Sequence, residues 1–296
     1  MNHEFVKSFK NTFMSKSVAK NILYILVFTF LLLVCASYVY ILVWGFLAGL
    51  KDPVAAVKSP FAWSWDMHFE NYINVFTMIS QNSGNIGFAQ MLFNSLFFSL
   101  LGPFISLTLT SMIAYVTCKF KFPGSNIFYP IVMITITLPL YGTGGSAYKL
   151  YYNLGFIDSY SYIITSTSGL GVNYLYFFAV FKGLSWSYAE AAYIDGANDY
   201  TVYFKVMFPL IFNLYGALFL LSWLSAWNDY SSVLIYLPKL PTLAGGIYLF
   251  SLTAVREAQM NLLYAAYILS AIPPIVLFGM FNKVMMSNIS LGGIKE

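Results

Sequence analysis

Residues 190–210 read EAAYIDGANDYTVYFKVMFPL. Three carboxylates, Glu190, Asp195 and Asp199, fall within ten residues of a 296-residue chain that is 59% hydrophobic and only 9% charged. One Asp at the centre of a membrane helix costs about 2.5–3.5 kcal/mol, so three acids in one span would cost roughly 8–10 kcal/mol. The stretch therefore lies outside any bilayer, and its surroundings decide the fold.

Those surroundings are apolar. A soluble domain is about one quarter charged, whereas here aromatics alone make up 20% and the mean hydropathy is +0.71. Only a bilayer solvates such a chain. Uncharged runs occupy 21–50, 71–118, 122–148, 159–181, 206–228 and 258–282. Each exceeds the roughly 20 residues that cross a hydrocarbon core about 30 Å thick. The polar stretch NYINVFTMISQNSGNIG (71–87) moves the start of the second span to about Ala89. Six spans are expected, at 22–48, 89–117, 125–147, 160–181, 209–233 and 262–285. The 16-residue run 240–255, with Pro241 and Gly245-Gly246, reads as a loop or interfacial segment. The chain then divides into a cytoplasmic segment 1–20, a first span with its outer loop 21–88, a core of five spans 89–285 holding the inner loop 182–208, and a cytoplasmic tail 286–296.

Basic residues set the orientation. A cytoplasmic N-terminus places Lys7, Lys10, Lys16, Lys20, Lys119, Lys121, Lys182, Lys205, Lys283 and Lys295 inside, ten against the five outside: Lys51, Lys58, Lys149, Lys239 and Arg256. The net charge of +4 is thus an orientation signal and not a nucleic-acid patch. Trp63 and Trp65 suit an outer interface. The first run is too long for a signal-peptide core of about 7–15 residues, so it reads as a permanent span. Cys35 and Cys118, on different spans, read as two free, buried thiols. Pro103, Pro130, Pro139, Pro209 and Pro273-Pro274 punctuate the spans, as packing kinks or as hinges.

Within the opening stretch, Ser187 stands three residues before Glu190, the spacing of a capping box. Gly196 suits the left-handed residue that ends a helix, and Asn198 or Asp199 suits the cap of the next one. A short helix, a sharp turn and a second helix entering the membrane follow. The acids are then either caps and solvated charges, or the flanks of a docking knob. The second option explains Ala191, Ala192 and Ala197, which would let another surface approach the backbone.

EAAYIDGA (190–197) resembles the EAA loop, E-A-A-x-x-D-G-A, of type I ABC importer permeases, and Phe204, Pro209 and Leu210 match its continuation. FNSL (93–96), AYVTCKFKFPG (114–124), NLGFIDSY (153–160), WNDY (227–230), TLAGGI (242–247) and SLGGIKE (290–296) are similar to segments of the carbohydrate-importing, maltose-type branch and its six-span permease. The resemblance runs from about residue 70 to the C-terminus, with departures at Ser185-Trp186, Asn213 and Ala244, where the family carries prolines.

The resemblance implies an all-α polytopic protein of a bacterial or archaeal cell membrane, with six transmembrane helices and both termini cytoplasmic. It implies a carbohydrate path shared with a second, different permease. It also implies two separate ATPase subunits holding ATP and Mg, and an extracytoplasmic solute-binding protein. Glu190, Ala191, Ala192, Asp195, Gly196 and Ala197 would couple to the ATPase, and Gly292, Gly293 and Lys295 of the tail would reach toward it. Asn94, Asn228 and Asp229, polar residues at span ends, are candidates for the substrate path. Tyr141, Tyr148, Tyr151 and Tyr152 suit either sugar stacking or an interfacial belt.

No cofactor is expected in this chain. GTGGSAYK (142–149) lacks the spacing of a phosphate-binding loop. His3 and His68 stand alone, no metal cluster is evident, and no nucleophile–base constellation suggests an active site. Two rivals are a permease of this type for a non-sugar solute, which the flanking segments disfavour, and an ion-coupled secondary transporter. The latter requires ionisable residues deep within spans, which the uncharged runs lack.

Overall fold

The computed structural model describes residues 18–138, 142–167 and 170–286, and they are helical with no strand among them. In chain order, α1 is Val18–Gly49, α2 Pro53–Lys58 and α3 Asn71–Asn82. α4 (Phe88–Leu96) runs through a π-helical turn, Phe97–Leu101, into α5 (Gly102–Lys119). α6 is Ser125–Thr137 and α7 Gly144–Asn153; a 3-10 helix, Tyr160–Thr167, precedes α8, Val172–Gly183. α9 is Ser187–Ile194, and α10 (Asp199–Thr201) passes through a second π-helical turn, Val202–Met207, into α11 (Phe208–Trp227). Finally come α12 (Ser231–Tyr236), α13 (Leu243–Arg256) and α14 (Met260–Met286).

Among the described residues, four helical stretches are long and apolar enough to cross a membrane: Lys20–Gly49, Phe88–Lys119, Asp199–Trp227 and Met260–Phe281. Two shorter apolar helices accompany them, Ser125–Thr137 and Leu243–Arg256. The expected third and fourth spans are therefore not single rods. One stops at Thr137, just before Leu138 and Pro139, and the other changes from a 3-10 helix to α8, which begins after Gly171. Pro139 and Tyr141 lie outside the described residues, as do His3 and the tail residues Gly292, Gly293 and Lys295.

Both π-helical turns immediately precede a proline in the first turn of the next helix, Pro103 or Pro209. A proline ring displaces the carbonyl four residues back, and the backbone responds with a wider turn. The Phe208 N–H accordingly reaches back five residues to the Tyr203 carbonyl.

The chain forms two compact units. The first comprises the described residues up to Val75 together with Ala254–Leu269. Its organiser is Lys51, 5% exposed, whose ammonium donates to the carbonyls of Ser59, Pro60 and Ala62 at 3.0, 2.8 and 2.6 Å. Asn71 donates to the Gly49 and Lys51 carbonyls at 2.9 and 3.0 Å. His68 does not stand alone: it lies 3.3 Å from both Asp66 and Glu70. The hydrogen bond to Glu70 is the main cause that raises its pKa. Cys35 lies on α1 within the long apolar stretch and is free.

The second unit, Phe76–Thr253 with the described residues from Ser270 onward, carries the main core. Leu107, Tyr174, Phe177, Phe181, Met207 and Ile211 are almost wholly buried there. Tyrosine hydroxyls in such an environment need partners, because an unpaired polar group in an apolar medium is destabilising. α5 supplies them. Ser111 pairs with Tyr203 at 2.6 Å, Thr117 with Tyr174 at 2.9 Å and Thr108 with Tyr215 at 2.9 Å.

Residues 240–255 hold a helix, α13, where a loop or interfacial segment is expected. Gly245-Gly246 is a packing device here and not a turn. A Cβ on Gly246 would come within 2.7 Å of Met91 Sδ and 3.0 Å of Ile79 Cγ2. The loop before α13 is pinned by α4, as Ser95 Oγ accepts the Leu243 N–H at 2.7 Å.

Candidate functional site

The acidic stretch folds as a short helix, a left-handed turn and a second helix. At its start, the Ser185 hydroxyl accepts the Ser187 N–H at 3.3 Å and pairs with the Ser187 hydroxyl at 2.7 Å. Ser187 is thus the first helical residue, and the expected capping box with Glu190 is absent. At its end, Gly196 takes φ +81°. Its N–H donates to the Tyr193 carbonyl and that of Ala197 to the Ala192 carbonyl, both at 3.0 Å. This is the Schellman arrangement, which satisfies the last carbonyls of a helix. Of the two candidate caps, Asn198 is the one used: its Oδ1 accepts the Thr201 N–H at 2.9 Å.

Asp199 instead accepts the Tyr193 hydroxyl at 2.7 Å, closing the two helices onto each other. Burial, and then this bond, push the Tyr193 phenol well above its ordinary pKa. It remains a donor throughout the physiological range.

The faces of α9 separate by chemistry. Ala189 is 0% exposed, and Trp186, Ala192, Tyr193 and Ala197 pack against the main core. Ala192 and Ala197 therefore spend their small size on the chain's own interior. A helix turns about 100° per residue, which separates Ala191 from Ala192: Ala191 is exposed, together with Glu190, Asp195 and Gly196. Among the described residues neither the Glu190 nor the Asp195 carboxylate has a hydrogen bond or ion pair. Ile194, 85% exposed, stands beside them, flanked by exposed Tyr188 and Tyr200. Spacing identifies the acids but not these apolar companions. For Ile194 and Tyr200 the sequence signal is a large hydrophobic residue one position from an acid.

This protrusion is bolted to α5. Lys119 Nζ donates to the Leu184 carbonyl at 2.6 Å, and Phe120 meets Trp186 edge-on at 5.8 Å. Displacement of α9 would thus be passed directly to the end of a long apolar helix.

The three candidates for the substrate path separate. Asn94 is 0% exposed; it donates to the Pro241 carbonyl at 3.0 Å and accepts the Tyr160 hydroxyl at 2.9 Å. It is a clamp inside the fold and faces no opening. Asn228 is exposed and donates to the Leu224 carbonyl at 2.8 Å, ending α11. Asp229 alone lines an open groove, beside α5 and the far end of α11 from α9.

Tyr148, Tyr151 and Tyr162 gather around the Tyr236 ring, at 6.2, 5.3 and 5.4 Å between centroids, while Tyr152 is exposed. NLGFIDSY acts as a loop clamp. Gly155 takes φ +70°, the Asp158 N–H donates to the Tyr236 carbonyl at 2.9 Å, and Asp158 Oδ1 accepts the Lys239 N–H at 2.7 Å.

Residues 106–290 match the binding-protein-dependent transport system inner membrane component family, and the chain belongs to it. It is a permease subunit of the cell membrane. It is 30% identical over 229 residues to the arabinooligosaccharides transport system permease protein AraQ of Bacillus subtilis, covering 77% of this chain and 79% of that one. It is 25% identical over 260 residues to the diacetylchitobiose uptake system permease protein NgcG of Streptomyces coelicolor, covering 85% and 82%. A solved bacterial ABC transporter involved in import of the acidic polysaccharide alginate shares the fold, with TM-score 0.66 and 21% identity over 91% of this chain and 98% of that one.

Proposed function

We propose that this chain and a second, different permease together form the membrane path for an oligosaccharide, and that α9 couples that path to two separate ATPase subunits. The carbohydrate assignment is supported by relatives named for arabinooligosaccharides and diacetylchitobiose. The observation that carries the coupling role is the two-faced α9, buried through Ala189 and open through Glu190, Ala191, Ile194 and Asp195. Bare carboxylates beside a bare isoleucine suit a partner cleft that is apolar within and basic at its rim. Such desolvated anchors dominate interface energetics.

In this reading the chain performs no chemistry. ATP and Mg sit on the ATPase subunits, and solute arrives from an extracytoplasmic binding protein. ATPase closure would push α9, and Lys119, Trp186 and the Tyr193–Asp199 bond would carry that push to α5 and α11. The outer end of the path would open or close as those helices tilt.

The test is uptake of a labelled arabino-oligosaccharide into proteoliposomes holding the permease pair, the ATPase and the binding protein. Uptake should require ATP inside and should stop with Glu190→Arg while the variant still inserts and hydrolysis by the ATPase persists. Uptake that is independent of ATP, or untouched by Glu190→Arg, would contradict the proposal.

A further inference from the structure

We infer that the groove at the far end of α11 is this chain's contribution to the solute path, and that its chemistry selects neutral polyhydroxylated solutes over anionic ones. The inference rests on the importer reading above and adds the residues and the charge preference.

The groove has a volume of about 640 Å³ and is lined in part by Ser106, Ser166, Ser222, Ser225 and Asp229. Ser222, Ser225 and Ala226 fall at i, i+3 and i+4 on one face of α11, and Asp229 follows two residues beyond its end. The rest of α11 is largely Leu, Phe and Trp. A polar stripe on a membrane-spanning helix belongs against protein or a water-filled cavity rather than lipid.

The hydroxyls differ from those of the core. Ser111, Thr117 and Thr108 each meet a tyrosine. Among the described residues, the hydroxyls of Ser106, Ser166, Ser222 and Ser225 make no hydrogen bond at all. Four open hydroxyls around one void offer both donors and acceptors to a ligand that presents the same. The approach of the two walls is kept by Gly102, where a Cβ would come within 3.0 Å of Ser166 Oγ.

Charge decides the solute class. Asp229 is the one ionisable residue among the described lining residues, and no Lys, Arg or His joins it. Its Oδ1 accepts the Ser232 N–H at 2.9 Å, which fixes the carboxylate at the mouth. A sugar hydroxyl can donate to that carboxylate. A uronate or phosphate would meet a like charge with no cation among the lining residues to offset it.

The test needs no nucleotide. In the assembled transporter with Cys35→Ser and Cys118→Ala, Ser225→Cys is treated with a cationic and an anionic methanethiosulfonate of similar size. The cationic reagent should react about tenfold faster, after correction for a free thiol. Asp229→Asn should remove most of that ratio. A neutral pentose trisaccharide should slow modification, and a uronic-acid trisaccharide should not. Leu224→Cys, exposed but not lining the groove, should stay unmodified. An unreactive Ser225→Cys, an equally reactive Leu224→Cys, a ratio indifferent to Asp229, or protection by both sugars or by neither would each overturn the inference. Failure of ATP-driven uptake would instead sink the importer reading and leave these labelling results to stand by themselves.

Discussion

The helical stretch Asp199–Trp227 has acidic residues at both of its ends, and the two ends use them differently. At the α9 end, backbone groups are fully engaged through the Gly196 turn and the Asn198 cap, while Glu190 and Asp195 are left bare. At the groove end, the carboxylate of Asp229 is tied by one backbone N–H, and the serines beside it are bare instead. One end is a convex, charged and partly apolar knob on a rigid mount. The other is a concave hydroxylated surface. Shape and the neighbours of the acid, rather than the acid itself, separate a surface for a protein from a surface for a small polyol.

Perturbing each end in turn should break that contrast in a graded way. The largest effect is expected from Gly196→Val. A β-branched residue at φ +81° is strained whatever the space around it, and the turn that presents α9 would be lost. Uptake should be abolished, because a strain of roughly 1–2 kcal/mol or more falls on the turn itself, while Ser225→Cys labelling at the groove stays unchanged. Glu190→Arg should also abolish coupled uptake, by reversing charge opposite the proposed basic rim, with thermal stability altered by less than about 0.5 kcal/mol because the site is exposed.

Asn94→Leu should do the reverse. It leaves the Pro241 carbonyl buried without its partner and unpairs the Tyr160 hydroxyl, at about 1–3 kcal/mol for the buried carbonyl. A thermal-shift measurement in detergent should show the loss, with the α9 surface unaffected. Within α9 itself, Ala189→Leu should destabilise by about 1–3 kcal/mol through overpacking, whereas Ile194→Ser should leave stability unchanged and weaken ATPase co-purification. The smallest effect is expected from Tyr193→Phe. It removes one hydrogen bond to an exposed carboxylate, worth about 1 kcal/mol, and should lower uptake a few-fold without loss of insertion.

The long apolar stretches were legible from charge alone, since the runs 21–50, 71–118 and 258–282 contain Lys20–Gly49, Phe88–Lys119 and Met260–Phe281 almost completely, and the run 206–228 contains Asp199–Trp227 from Val206 onward. Charge counting fails where the break is made by backbone preference, as before Pro139 and at Gly171. It fails again at Gly245-Gly246, because glycine signals either a turn or a close helix contact, and only the positions of Met91 and Ile79 decide which. At the acidic stretch, the positive φ of Gly196 and a cap at Asn198 or Asp199 followed from local chemistry, and the choice of Asn198 did not, because Asp199 is taken by the Tyr193 hydroxyl. The division of Ala191 from Ala192 did not, because it depends on which side of α9 the core lies. Asn94 and Asp229 looked alike in sequence for the same reason: both are polar and near a span end, and only tertiary partners distinguish a buried clamp from a groove wall.

The proposed coupling role makes α9 the part that touches the ATPase. In the assembled transporter lacking Cys35 and Cys118, single cysteines at Ile194 and Ala189 are treated with a short bifunctional thiol and amine crosslinker. Ile194→Cys should join the ATPase subunit in high yield and Ala189→Cys, pointing into the permease core, should not. An ATPase that supports uptake yet never crosslinks to position 194, or crosslinks equally from both, would contradict the coupling role assigned to this helix.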